Sequence, residues 1–294
     1  MDHNEKDIDD VTGIDTTGHE WDGIKELNNP LPRWWLWAFY ATIVWAVLYT
    51  VAYPAWPLVN RATGGLLGYS TRGEVVQQIE AVEAQNATLT AALASVDLAS
   101  LSEDQMLNRY AIAGGAAVFR TYCSQCHGSG AAGAVGYPNL LDDDWLWGGE
   151  IEEIAYTVRH GIRNEVDSDA HWSEMPAFGE LLEEQEITNL VEYVRSISGQ
   201  QHDAAMAAEG TILFEEQCTA CHGEAGMGDD SLGAPNLTDA IWLYGGDREA
   251  LTETITYSRF GVMPPWSPRL SDAEVNAVAA YVHQLGGGEQ PATE

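Results

Sequence analysis

The sequence predicts a mainly α protein with one transmembrane helix near the N-terminus, followed by two tandem copies of a single small helical domain. Three observations carry this expectation. Twenty residues from Trp34 to Tyr53 bear no formal charge. Beyond residue 106 the chain repeats itself, with Gly115, Phe119 and Cys123 recurring as Gly210, Phe214 and Cys218. Each copy opens and closes with helical periodicity around a middle rich in Gly and Pro, where the β-branched alternation that marks strands is scarce.

Taken in order, residues 1–32 form an acidic segment with little periodicity, expected to be solvated and poorly ordered. It lacks the basic start and early apolar run of a secretory signal peptide. Residues 33–57 hold the span. Some 20 apolar residues rising about 1.5 Å each cross a hydrocarbon core, and tryptophans and tyrosines gather toward both ends as interface anchors do. Pro54 and Pro57 end the helix. Loop charge leaves the orientation open, since Lys25 and Arg33 precede the span while Arg61 and Arg72 follow it. Residues 58–106 read as a linker containing a helical spacer. Val75, Ile79, Val82, Leu89, Leu93 and Val96 give it an apolar stripe, expected to pack on a partner or on the domain that follows.

The 45 acidic residues against 13 basic ones give a net charge of −32, which excludes nucleic-acid binding because phosphate must be met by cations. A hydrophobic content of 45% with 11 tryptophans excludes a disordered acidic chain. No lysine occurs after Lys25, so most of the charge belongs to the C-terminal part.

The copies run over 107–199 and 204–288, with a tail at 289–294. Helices are expected at about 103–122 and 183–198 in the first copy, and at about 204–217 and 272–285 in the second. Pro138-Asn139-Leu140 matches Pro235-Asn236-Leu237, and Trp145-Leu146-Trp147 matches Trp242-Leu243-Tyr244. Met175-Pro176 matches Met263-Pro264. The copies differ by one loop, for Gly161 precedes Met175 by 14 positions and Gly261 precedes Met263 by 2.

All four cysteines lie in two C-x-x-C-H motifs, Cys123 to His127 and Cys218 to His222. This is the attachment signature of c-type haem, in which two thiols add to the vinyl groups and the adjacent histidine becomes an axial ligand of the iron. Of the competing readings, a zinc site, a redox dithiol or a pair of disulfides, a dithiol does not require the histidine and a zinc site does not explain the paired methionines. Two covalent haems are therefore expected, on Cys123 and Cys126 and on Cys218 and Cys221, with His127 and His222 as iron ligands. Both domains are then class I cytochrome c domains. Met175 and Met263 are the candidates for the sixth position, where a thioether raises the potential and suits outer-sphere electron transfer. Met227 and His171 are rival ligands. Periodicity by default pairs each methionine with its own copy.

Trp145 and Trp242 read as lids over a haem edge or as indole donors to a propionate, and Arg159 and His160 as side chains that could reach one. Met106 and Met206 are expected to be packing residues. Because covalent haem attachment occurs outside the bacterial inner membrane, both domains are expected in the periplasm and the N-terminus in the cytoplasm. The acidic surface would then steer a basic donor protein.

Over nearly its whole length the sequence resembles the di-haem subunit III (CcoP/FixP type) of cbb3-type cytochrome c oxidases. The resemblance is carried by W-D-G-I-K-E-L-N-N-P-L-P-R-W-W-L-W at 21–37, Y-P-A-W-P at 53–57, N-L-L-D-D-D-W-L-W-G-G, H-G-I-R-N, M-P-A-F-G, G-A-P-N-L-T-D and Y-V-H-Q-L-G-G-G at 281–288. It implies a subunit of an inner-membrane, proton-pumping terminal oxidase that passes electrons from a soluble or membrane-bound cytochrome c donor, or from a quinol–cytochrome c oxidoreductase, toward the mono-haem and catalytic subunits, where oxygen is reduced to water. The chain itself would hold no oxygen-reducing site. The resemblance also favours an exchange of ligands, with Met175 completing the haem of His222 and Met263 that of His127. Two other functions are weighed beside it. A free membrane-anchored cytochrome shuttling between complexes is one; a di-haem peroxidase is the other, and it would need an open iron position that the two Met-Pro loops argue against.

Overall fold

In the computed structural model, residues 7–290 are described, and they form two units divided between Ala84 and Gln85. The first unit opens with an antiparallel hairpin, β1 (Thr16–Trp21) and β2 (Ile24–Leu27). Asp22 and Gly23 make its turn with φ of 51° and 82°, the pair of positive angles that a two-residue hairpin of matching twist requires. Glu20 faces Lys25 across the ladder, and Lys25 reaches Asp7 at 2.9 Å. The described part of the acidic leader is thus folded where a poorly ordered segment was expected. The turn dipeptide was the signal, outweighed in the sequence by the density of acids.

Helix α1 (Arg33–Ala52) has no buried residue, and it is long and apolar enough to cross a membrane. A core helix of a soluble protein would be covered by its own chain, and this one is not. Its last carbonyls, on Val51 and Ala52, accept from Leu66 and Leu67, so the loop beyond the prolines folds back as a cap. Gly65 makes that approach, with φ of 68° and no room for a Cβ beside Ala52 and Tyr53.

Helix α2 (Thr71–Ala94) is the spacer. Its stripe divides: Val75, Ile79 and Val82 are about half exposed at 53%, 51% and 55%, whereas Leu89 and Leu93 pack into the core of the second unit.

Both sequence copies use the same local devices in that unit. Asp104 caps α3 (Gln105–Val118), accepting from Met106 and Leu107, and Asp203 caps α7 (Ala204–Gln217), accepting from Ala205 and Met206. Short helices α4 (Ser124–His127) and α8 (Thr219–His222) follow at the C-x-x-C-H motifs. In the first copy a π-turn over Phe119–Cys123 intervenes, so Gly115, Phe119 and Cys123 do not lie along one regular helix as expected. Each middle contains one ten-residue helix, α5 (Ile151–His160) or α9 (Arg248–Tyr257). The closing helices α6 (Glu184–Ile197) and α10 (Asp272–His283) both begin with a capping box, Glu183 with Glu186 and Ser271 with Glu274. Met106, expected to pack, is 66% exposed.

The packing exchanges the closing helices. Helix α3 packs on α10 and α6 on α7, so each core is assembled from both copies. A Cβ on Gly115 would strike the carbonyl of Ala277 in α10, and one on Gly210 the carbonyl of Asn189 in α6. Beside each crossing an aromatic pair closes the seam, Phe119 with Tyr281 at 5.5 Å and Phe214 with Tyr193 at 4.8 Å. The first core joins Leu93, Leu101, Ala111, Val118 and Phe119 to Val275, Val278 and Val282. The second joins Phe178, Leu190, Val191 and Val194 to Phe214, Leu251 and Ile255. The cause is local: only Ser198 to Asp203 separate α6 from α7, and a link that short makes antiparallel neighbours. Buried Glu192 fixes this hairpin, accepting from Asp203 N–H at 2.6 Å and from Arg248 Nε at 2.5 Å. Arg195 adds bonds to Gln200, to the carbonyl of Gln201 and to that of Gly246.

Candidate haem-binding site

The two C-x-x-C-H motifs adopt one geometry. His127 Nδ1 lies 3.2 Å from the carbonyl of Pro138, and His222 Nδ1 3.0 Å from that of Pro235. A carbonyl only accepts, so Nδ1 carries the proton and Nε2 keeps its lone pair for a metal. Burial lowers the pKa of both rings, which keeps them neutral. Glycines at φ near 80°, Gly128 and Gly223, end the short helices, and the carbonyls of His127 and His222 accept from Gly133 and Gly228. Each histidine is therefore held by its own Pro-Asn-Leu loop.

The four cysteines are free, and burial pushes Cys123 and Cys218 up to about 11. A redox dithiol needs a lowered pKa, and burial shifts these two thiols the other way. Two thiols and one imidazole lone pair per motif match the donor set of a c-type haem. One further observation fits a missing group: the buried indole N–H of Trp147 is the side-chain polar atom left without a partner among the described residues.

The methionines sit on opposite cores. Met175 packs against the second core, as Cys218, Leu237 and Trp242 also do, and its carbonyl accepts from Ser258 Oγ of the second copy. Met263 packs against the first core, as Cys123, Leu140 and Trp145 also do, and its backbone pairs both ways with Ile162 of the first copy at 2.9 and 3.0 Å. Gly161 allows this approach, because a Cβ there would meet Met263 and the two prolines after it.

The other candidates have different partners. Met227 is 61% exposed and its Sδ accepts from Thr238 Oγ1 at 3.4 Å. His171 stacks on Trp147 at 4.4 Å and meets Thr157 Oγ1 at 3.1 Å. His160 pairs with Asp167 at 3.0 Å, and Arg159 with Asp272 at 3.2 Å. Trp145 donates to the carbonyl of Gly287 at 2.7 Å, which fastens the C-terminal end over the first core. Residues 291–294 of the expected tail lie outside the described residues.

The loop before Pro138 abuts the second W-L-x-G-G loop: Gly136 N–H donates to the carbonyl of Leu243, and the ring of Tyr244 lies against Gly136. Acids crowd the same place. Burial, with Asp239, Asp142 and Asp143 nearby, pushes Asp144 up to about 6. The run Asp142 to Asp144 reads in the sequence as a solvated acidic face, and its approach to Asp239 is not legible there, since no spacing rule brings residue 144 to 239.

Comparison with known proteins follows the same division of the chain. Residues 13–60 match the N-terminal domain of cytochrome oxidase-cbb3, FixP, and residues 111–194 and 205–282 match cytochrome c oxidase, cbb3-type, subunit III. The chain is 62% identical over 276 residues to the cbb3-type cytochrome c oxidase subunit CcoP of Cereibacter sphaeroides, covering 93% of this chain and 95% of that one. It is 51% identical to subunit FixP of Azorhizobium caulinodans, over 96% of each. To CcoP of Rhodobacter capsulatus it is 53% identical, over 94% of this chain and 97% of the relative.

Proposed function

The chain belongs to the subunit III family of cbb3-type cytochrome c oxidases, and from that premise we propose that it is the membrane-anchored di-haem electron-transfer subunit of such an oxidase, without an oxygen-reducing site of its own. The observation that carries the proposal is the duplicated C-x-x-C-H geometry, with each histidine oriented by a proline carbonyl and with a cysteine of each motif packed on the same core as one of the two methionines. Cys123 and Cys126 would hold one haem covalently, and Cys218 and Cys221 the other. His127 with Met263, and His222 with Met175, would complete the two irons. The packing of Met263 and Cys123 against the first core, and of Met175 and Cys218 against the second, supports this exchanged pairing over the local one.

A bound haem would supply a reversible one-electron couple of raised potential through its thioether ligand. The residues of this chain do the rest. The histidines would offer Nε2 and the methionines their thioethers to the iron, while Trp145 and Trp242 pack on the same cores as Cys123 and Cys218. An iron so held by a histidine and a methionine would favour outer-sphere transfer over ligand binding. Attachment outside the inner membrane places both cores in the periplasm and the hairpin before α1 in the cytoplasm. The partners are the mono-haem and catalytic subunits on one side and a cytochrome c donor on the other.

Two expected results follow. Cys126→Ala and Cys221→Ala should each leave one covalent haem per chain, read by pyridine haemochrome assay of the purified oxidase; two haems in either variant would refute the attachment sites. In mildly solubilised membranes the chain should co-migrate with oxygen-reductase activity, whereas migration alone would favour a free shuttle. The net charge of −32, carried mostly beyond the span, supports a basic donor. Turnover with such a donor should fall steeply as salt rises past the regime where the screening length is about 10 Å. A rate flat in ionic strength would assign the acids to solvation alone.

A further inference from the structure

We propose that Arg163 is a positioning residue that holds both methionine loops at once, and thereby sets the ligation of both haems together. The inference rests on Met175 and Met263 as the thioether ligands. Arg163 donates from Nε to the carbonyl of Ser173 at 2.5 Å and from Nη1 to the carbonyl of Gly261 at 3.1 Å. Ser173 stands two residues before Met175, and Gly261 two residues before Met263. One guanidinium therefore fixes the approach of both loops, each of which lies against a different core.

The backbone around it is built for the same contact. Arg163 N–H donates to the carbonyl of His171 at 2.8 Å, and His171 N–H to that of Gly161 at 3.1 Å. Ile162 bridges to His171 on one side and to Met263 on the other. Residues 161–163 thus lie between the strand-like approaches to the two methionines. Arg163 has a φ of 49°, an uncommon angle for a residue with a side chain, and it persists where the surroundings over-determine it. Its guanidinium stands over the rings of Phe260 at 5.4 Å and Trp147 at 5.9 Å, which restrict the plane of the fork. Repeat geometry makes the device single. At the offset of 100 that relates Arg159 to Arg259 and Gly161 to Gly261, the position of Arg163 is occupied by Met263 itself.

Lysine separates this role from the bare charge. An ammonium keeps the positive charge but is a point donor on a flexible stem, and it does not reproduce a planar fork aimed at two carbonyls. In the purified oxidase, Arg163→Lys is expected to retain two covalent haems per chain, to lower the potentials of both c-type haems of this subunit, and to weaken the far-red thioether-to-iron absorption of both. Arg163→Ala should do so more strongly. If the residue acted only through its charge, Arg163→Lys would keep wild-type potentials, and that result overturns the proposal. A shift confined to one haem overturns it too. Should Arg163→Ala lose haem, the lysine variant decides. Absence of the far-red band in the unaltered oxidase would instead overturn the ligand assignment beneath it, so the two failures are distinguishable.

Discussion

A chain ending at Gln201 is expected to contain no folded first core, although it holds the whole of the first sequence copy. The reason lies in the crossing of α3 with α10. Val275, Val278, Ala279 and Ala280 are at most 1% exposed, and they share a core with Ala111 and Val118 of α3 and with Phe119 just beyond it. Asn276 of the same helix donates to the carbonyl of Leu93 at 2.9 Å, so its loss also frees the end of the spacer. Each large apolar side chain that loses cover costs about 1.5–3 kcal/mol, and four or five such losses match the roughly 5–15 kcal/mol that holds a whole domain. The truncated chain should melt without a cooperative transition, and the amides of α3 should exchange freely. A cooperative melt with protected α3 amides would mean that the first copy folds alone. A point substitution examines the same seam within the full chain. Gly115→Val places a Cβ on the Ala277 carbonyl and should cost about 3 kcal/mol or more, with protection lost in α3 and α10 while α6 and α7 stay protected. Gly210→Val should do the reverse. Loosening of α6 by Gly115→Val would contradict the exchanged cores.

Most of the elements were legible in the sequence because their determinants are local. The uncharged run from Trp34 to Tyr53 reads as a membrane helix, and the aspartate caps and capping boxes mark where α3, α7, α6 and α10 begin. The cysteine motifs were legible for the same reason, since Cys, Cys and His lie within five positions and the chemistry needs nothing distant. What was not legible was pairing. Repeats suggest two self-contained domains, and periodicity says nothing about which α3-like helix meets which α6-like helix. One clue was present and carries physical weight: the segment from Ser198 to Asp203 is too short for α6 to do anything but turn back along α7. Once α6 covers α7, only α10 remains to cover α3. The hairpin before the membrane was legible in Asp22-Gly23, but the acid around it pointed the other way. Trp147, Asp144 and Arg163 were beyond reach, because each owes its setting to residues of the other copy: Gly233, Asp239 and Gly261.

The exchange of helices carries the methionines with it, and this gives the second large expected effect. Met175→His should lower the potential of the haem on Cys218 and Cys221 and leave the haem on Cys123 and Cys126 near its original value. Met175 is delivered to the second core because Phe178, three residues on, is anchored there at 5% exposure, and because Ser258 of α9's end holds its carbonyl. Met263 is delivered to the first because its backbone pairs with Ile162 and because Trp266, next in the same loop, donates to the carbonyl of Val158 at 3.1 Å. These anchors tie each methionine loop to the core against which the other copy's Cys123 or Cys218 packs. Replacing thioether by imidazole removes the ligand that raises the potential, and a drop on the order of 100 mV is a modest part of the roughly 0.8 V that axial ligands span. Single-haem backgrounds assign the shift. In a Cys126→Ala chain, which keeps the second haem, Met175→His should move the potential and Met263→His should not. In a Cys221→Ala chain the outcome should be inverted. If instead Met175→His moved the potential only where Cys123 and Cys126 are intact, each copy would ligate its own iron, and the exchanged cores would have to hold their methionines some other way.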